Sequence, residues 1–318
     1  MPYETIISAQ DLADNLDNSK WVILDARFNI DSEDEAKLSF PNEHIVGAQQ
    51  ADLADHMAGE IIPGISGRRP LPPPDQFEQT IRSWGIDNDS QVVIYDSMNG
   101  IMAAARLWVL FNWAGHTKVA LLDGGYQAWQ AAGLPVGSEV RVPPTGTFAA
   151  NFRPELIAEL AEVEAATEDP SVLLFDSRSL TDGIPSHDAI RGRIPSSGAA
   201  DRALNSTPDG KWRTSEELKA HYEEVIGQAA PEQVIFYCGS GVTAAQNLVG
   251  MAHAGFRGAK MYPGSGSQWI LDALSLSVKP AYKRRKWRVE TGSSCAVTCS
   301  QLPKCSMGSM CVRRSRFS

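Results

Sequence analysis

Cysteine is nearly absent from most of this chain. Of five cysteines in 318 residues, Cys238 alone precedes Ser277. A body with one thiol has no internal disulfide to rely on, which points to a reducing compartment. Long apolar runs are missing too, and nothing approaches the ~20 residues of a membrane-spanning helix. The N-terminus lacks a basic segment, its first arginine being Arg27. Neither a secretory signal nor a mitochondrial presequence is expected, and the expected location is the cytoplasm. An excess of cations is also lacking. The formal net charge is −9, and residues 279–318 hold ten Lys or Arg against one acid, Glu290, which leaves 19 basic and 37 acidic residues before them, a net of −18. Such an acidic body argues against nucleic acid as a partner. Paired CxxC steps do not occur. The four tail cysteines, Cys295, Cys299, Cys305 and Cys311, match no zinc pattern. The tail from 279 to 318, with its basic run Lys283-Arg284-Arg285-Lys286, is expected to be a disordered extension.

What the chain does have is a 43% hydrophobic content, enough for two cores of ordinary size. Its most informative stretch begins with the apolar run Val234-Ile235-Phe236-Tyr237, a strand by composition. Cys238-Gly239-Ser240-Gly241-Val242-Thr243 follows, and then an Ala-rich helical segment, 243–254, stopped by Gly255. A cysteine is thus placed between a strand end and a helix start. Two glycines let the main chain wrap tightly and turn its N–H groups inward, and with the helix dipole they favour an anion at the sulfur. That anion is a thiolate, a persulfide or a phosphate. A cysteine phosphatase needs a guanidinium in this loop to clamp the phosphate, and the residue after Thr243 is Ala244. A persulfide needs only the N–H ring and a nearby hydroxyl, which Ser240 and Thr243 supply.

The chain also repeats. Val22-Ile23-Leu24-Asp25-Ala26-Arg27 matches Leu173-Leu174-Phe175-Asp176-Ser177-Arg178, and Val92-Val93-Ile94-Tyr95-Asp96 matches Val234-Ile235-Phe236-Tyr237-Cys238. Ala114-Gly115 matches Ala254-Gly255, and Asp123-Gly124-Gly125 with Trp129 matches Pro263-Gly264-Ser265 with Trp269. A period of 140 to 151 residues is that of a duplicated domain. Asp96 stands where the second copy has Cys238, so the first copy is expected to be catalytically silent. Strands at 92–95 and 119–122 alternate with helices at 76–84 and 103–114, and the second copy adds helices at 215–226 and 243–254. Such alternation predicts an α/β fold with largely parallel sheets. The boundaries expected are 1–136 for the first domain, 137–147 for a Pro- and Gly-rich linker and 148–278 for the second domain.

The loop and the repeat together resemble the two-domain rhodanese-like sulfurtransferases, over roughly residues 6–269. The Gly239-Ser240 form is similar to the 3-mercaptopyruvate branch, whereas the thiosulfate:cyanide branch typically carries a basic pair there. The resemblance implies two tandem rhodanese-like domains, each a mostly parallel sheet flanked by helices, with the site in the second copy at the domain cleft. Cys238 is the expected nucleophile, taking the donor's outer sulfur as a persulfide. The backbone N–H groups of Gly239, Ser240, Gly241, Val242 and Thr243 are expected to steady the charge. Ser240 is the expected proton handler, with an ordinary turn serine as the alternative.

A donor carboxylate calls for an arginine. Arg178 is the candidate, the resemblance implies a substrate-binding arginine there, and an ion pair with Asp176 is the alternative. A second arginine is expected at Arg191 or Arg193. Mercaptopyruvate enzymes usually add a histidine and an acid from the first domain. Here Arg69 stands at the histidine position before Pro70-Leu71-Pro72, and the acid falls near Ala54, between Asp52 and Asp55, with His56 out of register. Arg68 and Arg69 could instead bring positive charge to the cleft for an anionic donor such as thiosulfate. The family usually has a tryptophan where Gly266 stands. His44, Trp129 and Trp269 read as structural. The expected function is transfer of sulfane sulfur from 3-mercaptopyruvate through Cys238 to cyanide or a thiol acceptor such as thioredoxin. Thiosulfate sulfurtransferase is the near alternative, and a non-catalytic binding module on the same fold is the distant one. No metal or organic cofactor is expected, and the protein is expected to be a monomer or weak homodimer.

Overall fold

The computed structural model describes residues 2–28, 37–100, 102–178 and 192–278, with side chains as far as Leu271. Arg191, the acidic stretch 31–35 and the tail cysteines lie outside the described residues. The first half runs β1 (Ile6–Ile7), α1 (Ala9–Ala13), β2 (Trp21–Asp25), β3 (His44–Ile45), β4 (Gln49–Gln50), α2 (Leu53–His56), α3 (Pro74–Ser83), β5 (Gln91–Tyr95), α4 (Ala103–Trp113), β6 (Val119–Leu122), α5 (Gly125–Ala131) and β7 (Val136–Gly137). The second runs α6 (Leu160–Ala166), β8 (Leu173–Asp176), β9 (Gly198–Ala199), α7 (Ser215–Ile226), β10 (Val234–Tyr237), α8 (Ala245–His253), β11 (Lys260–Met261) and α9 (Ser265–Val278).

Two parallel sheets result. One has the order β1-β6-β5-β2-β4 and the other β11-β10-β8-β9. Their central strands are buried along their whole length, which is why β5 and β10 read as unbroken apolar runs rather than alternating ones. The helices follow the usual local rules. Pro74 occupies the first turn of α3, where its missing N–H costs nothing, and Phe77 and Ile81 share the buried face. Thr214 and Glu217 form a reciprocal capping box at the start of α7, which buries Leu218, Tyr222 and Ile226.

Helix α4 is buried on all sides because the first sheet covers one face and α8 of the other domain covers the other. One apolar cluster accordingly runs from Phe77, Phe111 and Trp113 through to Val249 and Met251. Polar ties cross the same junction: Thr5 Oγ1 to His253 Nδ1 at 2.9 Å, and the Trp212 N–H donating to Asp123 Oδ1 at 2.9 Å.

The segment that joins the two halves is bonded to the first. β7 pairs antiparallel with β3 and so belongs to the first domain. Residues 148–153 are also bonded to it: Phe148 N–H donates to Ile86 O at 3.2 Å, Asn151 N–H to Ala114 O at 3.0 Å and Arg153 N–H to Trp113 O at 2.8 Å. The Phe148 ring, fully buried, fills a gap beside His116, and this burial holds the segment on the first copy. Contacts with the second sheet begin at the 3-10 turn Pro154–Leu156, which packs on β11, and Ile157 bridges to Met261.

Candidate active site

Parallel strands deliver their C-terminal ends to one edge of a sheet, and Cys238 leaves β10 at that edge. The thiol is 1% exposed. Gly241 N–H donates to its Sγ at 3.1 Å, and Ser265 Oγ lies 4.0 Å from it. Gly241 adopts φ +77°, and a Cβ there would stand 2.3 Å from Pro263 O. Only glycine makes that turn against that wall. The start of α9 clasps the loop from outside. Cys238 N–H donates to Ser265 Oγ at 3.2 Å, Gly266 N–H to Cys238 O at 3.0 Å and Ser267 N–H to Gly239 O at 2.9 Å. Gly266 takes part through its main chain, so a small residue keeps that bond. The N–H groups of Ser240, Val242 and Ala244 have no acceptor among the described residues.

The first copy shows what such a loop holds. Asp96, 1% exposed, occupies the cysteine's place. Its Oδ1 accepts N–H bonds from Met98 and Gly100, both at 2.8 Å, and its Oδ2 from Met102 at 3.0 Å and Ala104 at 3.2 Å. Asn99 there has φ +61°, as Gly241 has φ +77° at the matching position. The two loops agree in that left-handed residue and part at the next, where Gly100 has φ +79° and Val242 a negative φ, and in the first copy a carboxylate is the resident anion. Burial nevertheless pushes the Asp96 carboxyl up from its ordinary value, against the pull of those four N–H groups.

A cavity of about 320 Å³ opens beside the cysteine loop. Gly239, Ser267, Ile270 and Leu271 form one wall, and residues of the first domain, Ile61 to Arg68, form the other. Arg68 brings a cation to this wall, and its N–H donates to Ser267 Oγ at 3.0 Å. The hydroxyls of Ser240 and Thr243 make no hydrogen bond to a described residue.

Arg178 is held in an ion pair. It is 7% exposed, its Nε donates to both Asp176 oxygens at 3.0 and 3.1 Å, and its Nη2 donates to Asp176 Oδ2 at 2.6 Å and Gly192 O at 2.7 Å. Arg27 makes the same pattern with Asp25 and Glu43 O in the first copy. This is the ion pair given as the alternative reading of Arg178. Arg193 is half-exposed, with Nε 3.9 Å from Asp176 Oδ2. Asp52, Asp55 and His56 engage one another and Lys37: the Asp52 carboxylate caps α2, and Asp52 N–H donates to His56 Nδ1 at 2.8 Å. Burial pushes the His56 imidazole down.

Arg106 was not anticipated. It sits in the middle of α4, is 0% exposed, and donates from Nη1 to Gly241 O at 2.8 Å. A lone arginine inside the apolar run 103–113 was the available signal.

The rhodanese-like domain model matches residues 8–132 and again residues 159–272. The chain belongs to the rhodanese-like family. This chain is 34% identical over 271 residues to a probable 3-mercaptopyruvate sulfurtransferase of Pseudomonas aeruginosa, covering 84% of this chain and 95% of that protein. It is 30% identical over 285 residues to the 3-mercaptopyruvate sulfurtransferase of Escherichia coli K12, covering 86% and 97%. In shape the chain matches the crystal structure of the Escherichia coli 3-mercaptopyruvate sulfotransferase with a TM-score of 0.72 at 29% identity, over 82% of this chain and 98% of that one. The Leishmania major enzyme matches with a TM-score of 0.73 at 27% identity, over 84% and 74%. The chain is a sulfurtransferase. No helix of the described residues is long and apolar enough to cross a membrane.

Proposed function

We propose that the enzyme takes the sulfur of 3-mercaptopyruvate onto Cys238, where it becomes a sulfane sulfur, and passes it to a thiol or to cyanide in the cytoplasm. The observation that carries this reading is the pair of matched loops. In one, four N–H groups hold a carboxylate; in the other, a cysteine stands at the same place with idle N–H groups ahead of it. The donor is taken from the relatives, which are named for it.

The Cys238 thiolate attacks the donor's sulfur. An S–S bond forms, the C–S bond breaks, and the carbon fragment leaves with the electron pair as an enolate that takes a proton to become pyruvate. Ser240, half-buried at the loop, is the hydroxyl placed to hand over that proton. The outer sulfur of the persulfide extends toward the N–H groups of Ser240, Val242 and Ala244, in the manner of an oxyanion hole. The acceptor thiolate then attacks that outer sulfur, and Cys238 leaves as thiolate. The Gly239-side cavity receives the donor, and Arg68 attracts its carboxylate. Arg178, closed on Asp176, supports the neighbouring strand end.

Arg68 in the cavity wall and Arg69 at the usual histidine position favour thiosulfate as a second donor. Replacing Cys238 by serine tests the mechanism: transfer from either donor should vanish while the folded state persists, and transfer retained in C238S discards the persulfide route. Parallel kcat/KM measurements with the two donors decide between them.

A further inference from the structure

Arg106 is a fully buried guanidinium with no carboxylate beside it among the described residues. Its acceptors are main-chain carbonyls: Gly241 O at 2.8 Å, Arg69 O at 3.2 Å, and Met57 O and Pro70 O at 3.4 Å, with Met261 Sδ at 4.0 Å. Its Nε has no hydrogen-bond partner among the described residues. A cation taken out of water without an anion is costly, and the fold normally supplies a carboxylate to offset it. Here the charged or ionisable groups felt by the guanidinium are Cys238, which favours its charge, and Arg69, which opposes it. Burial pushes Arg106 down to about 10, which still leaves it a cation at neutral pH.

One residue joins the two groups. The Gly241 carbonyl receives Nη1 of Arg106, and the Gly241 N–H donates to Sγ of Cys238 at 3.1 Å. A guanidinium pinning that carbonyl also fixes the direction of that N–H. The repeat supplies a contrast. The position in α8 that matches Arg106 is Leu248, so the cation is present only in the helix that meets the cysteine loop. The Asp96 loop, whose anion is neutralised by four N–H bonds, faces no such arginine from α8.

We propose that Arg106, contributed by the domain without a thiol, is the positioning residue and counter-charge of the Cys238 loop, holding negative charge on the sulfur before and after it carries its cargo. This rests on the reading of Cys238 as the nucleophile. The silent domain thereby supplies an electrostatic part of the site as well as a wall.

The test is the rate at which iodoacetamide, a neutral reagent, alkylates Cys238 in the full chain at pH 7. The product is read on the Cys238 peptide by mass spectrometry, because the tail carries four further cysteines. No sulfur donor is involved, so a wrong donor assignment leaves this readout intact, and C238S separately reports on the nucleophile. Arg106→Met should slow alkylation by at least about tenfold, the smallest effect expected of a unit charge near a thiolate. Arg106→Lys, which keeps the charge, should remain within about threefold of the wild type. Sulfur transfer should follow the same order, with the loss in kcat rather than KM. A folded Met variant alkylated at the wild-type rate overturns the proposal. Where the Met variant does not fold, the Lys variant decides: folded with fast alkylation it supports the counter-charge, while slow alkylation or failure to fold reduces Arg106 to a structural group.

Discussion

Asp96→Asn is the cleanest probe of the loop design, because it changes the copy that carries no cysteine. The Asp96 carboxylate accepts two N–H bonds on each oxygen. Asparagine has nearly the same shape but keeps one acceptor oxygen. Its NH2 group must then face two buried N–H donors that have lost their acceptor. Each buried donor left unpaired costs about 1–3 kcal/mol, so the substitution should remove roughly 2–6 kcal/mol of stability. For domains of this size that corresponds to a fall in Tm on the order of 10 °C. The assay is urea and thermal unfolding followed by far-UV circular dichroism, with two probes to test for a single transition, since two domains are present. Sulfur transfer at low temperature should persist, because the cysteine loop is not touched. A loss of stability below about 1 kcal/mol would refute the reasoning: the four N–H groups would then not depend on a charged acceptor, and the same loop could not be credited with steadying an anion on Cys238.

Two further outcomes follow from particular residues. Gly241→Ala puts a Cβ 2.3 Å from Pro263 O in a left-handed backbone that costs a non-glycine residue about 1–2 kcal/mol. The loop must shift, the N–H to Sγ must lengthen, and kcat should fall at least about tenfold; steady-state kinetics showing an unchanged kcat would contradict this. His116 is buried against the rings of Phe111 and Phe148, its Nε2 without a partner, and burial pushes its imidazole down to about 4. The unfolded chain binds that proton near pH ~6.5, so the stability owed to neutral His116 is complete above that value and is lost as pH falls toward 4, by up to about 3 kcal/mol. Stability measured against pH should slope more gently in His116→Gln over this window, and parallel slopes would refute the assignment.

The parts of the fold that the sequence disclosed are those where burial leaves a pattern. β5, β6 and β10 are buried throughout, so each is an unbroken apolar run, and α4 and α8 are stopped by Gly115 and Gly255 in left-handed conformations at φ +88° and +89°. The cysteine loop was legible for the same reason: its residues are contiguous. What was hidden depends on partners remote in sequence. Arg106 meets Gly241 across 135 positions. Phe148 follows a Pro- and Gly-rich stretch, and nothing in its neighbours says which core it fills. The pair of Arg178 with Asp176, like that of Arg27 with Asp25, was one of two readings open from the sequence, because the acid lies only two residues before the arginine. Asp96 read as a missing thiol, and only the bonds around it reveal a resident anion.

Helices α4 and α8 lie against each other within a single apolar cluster shared by both halves. The second half taken alone would bare the flank of α8 to water, so the first half serves it as a cover as well as a neighbour in sequence.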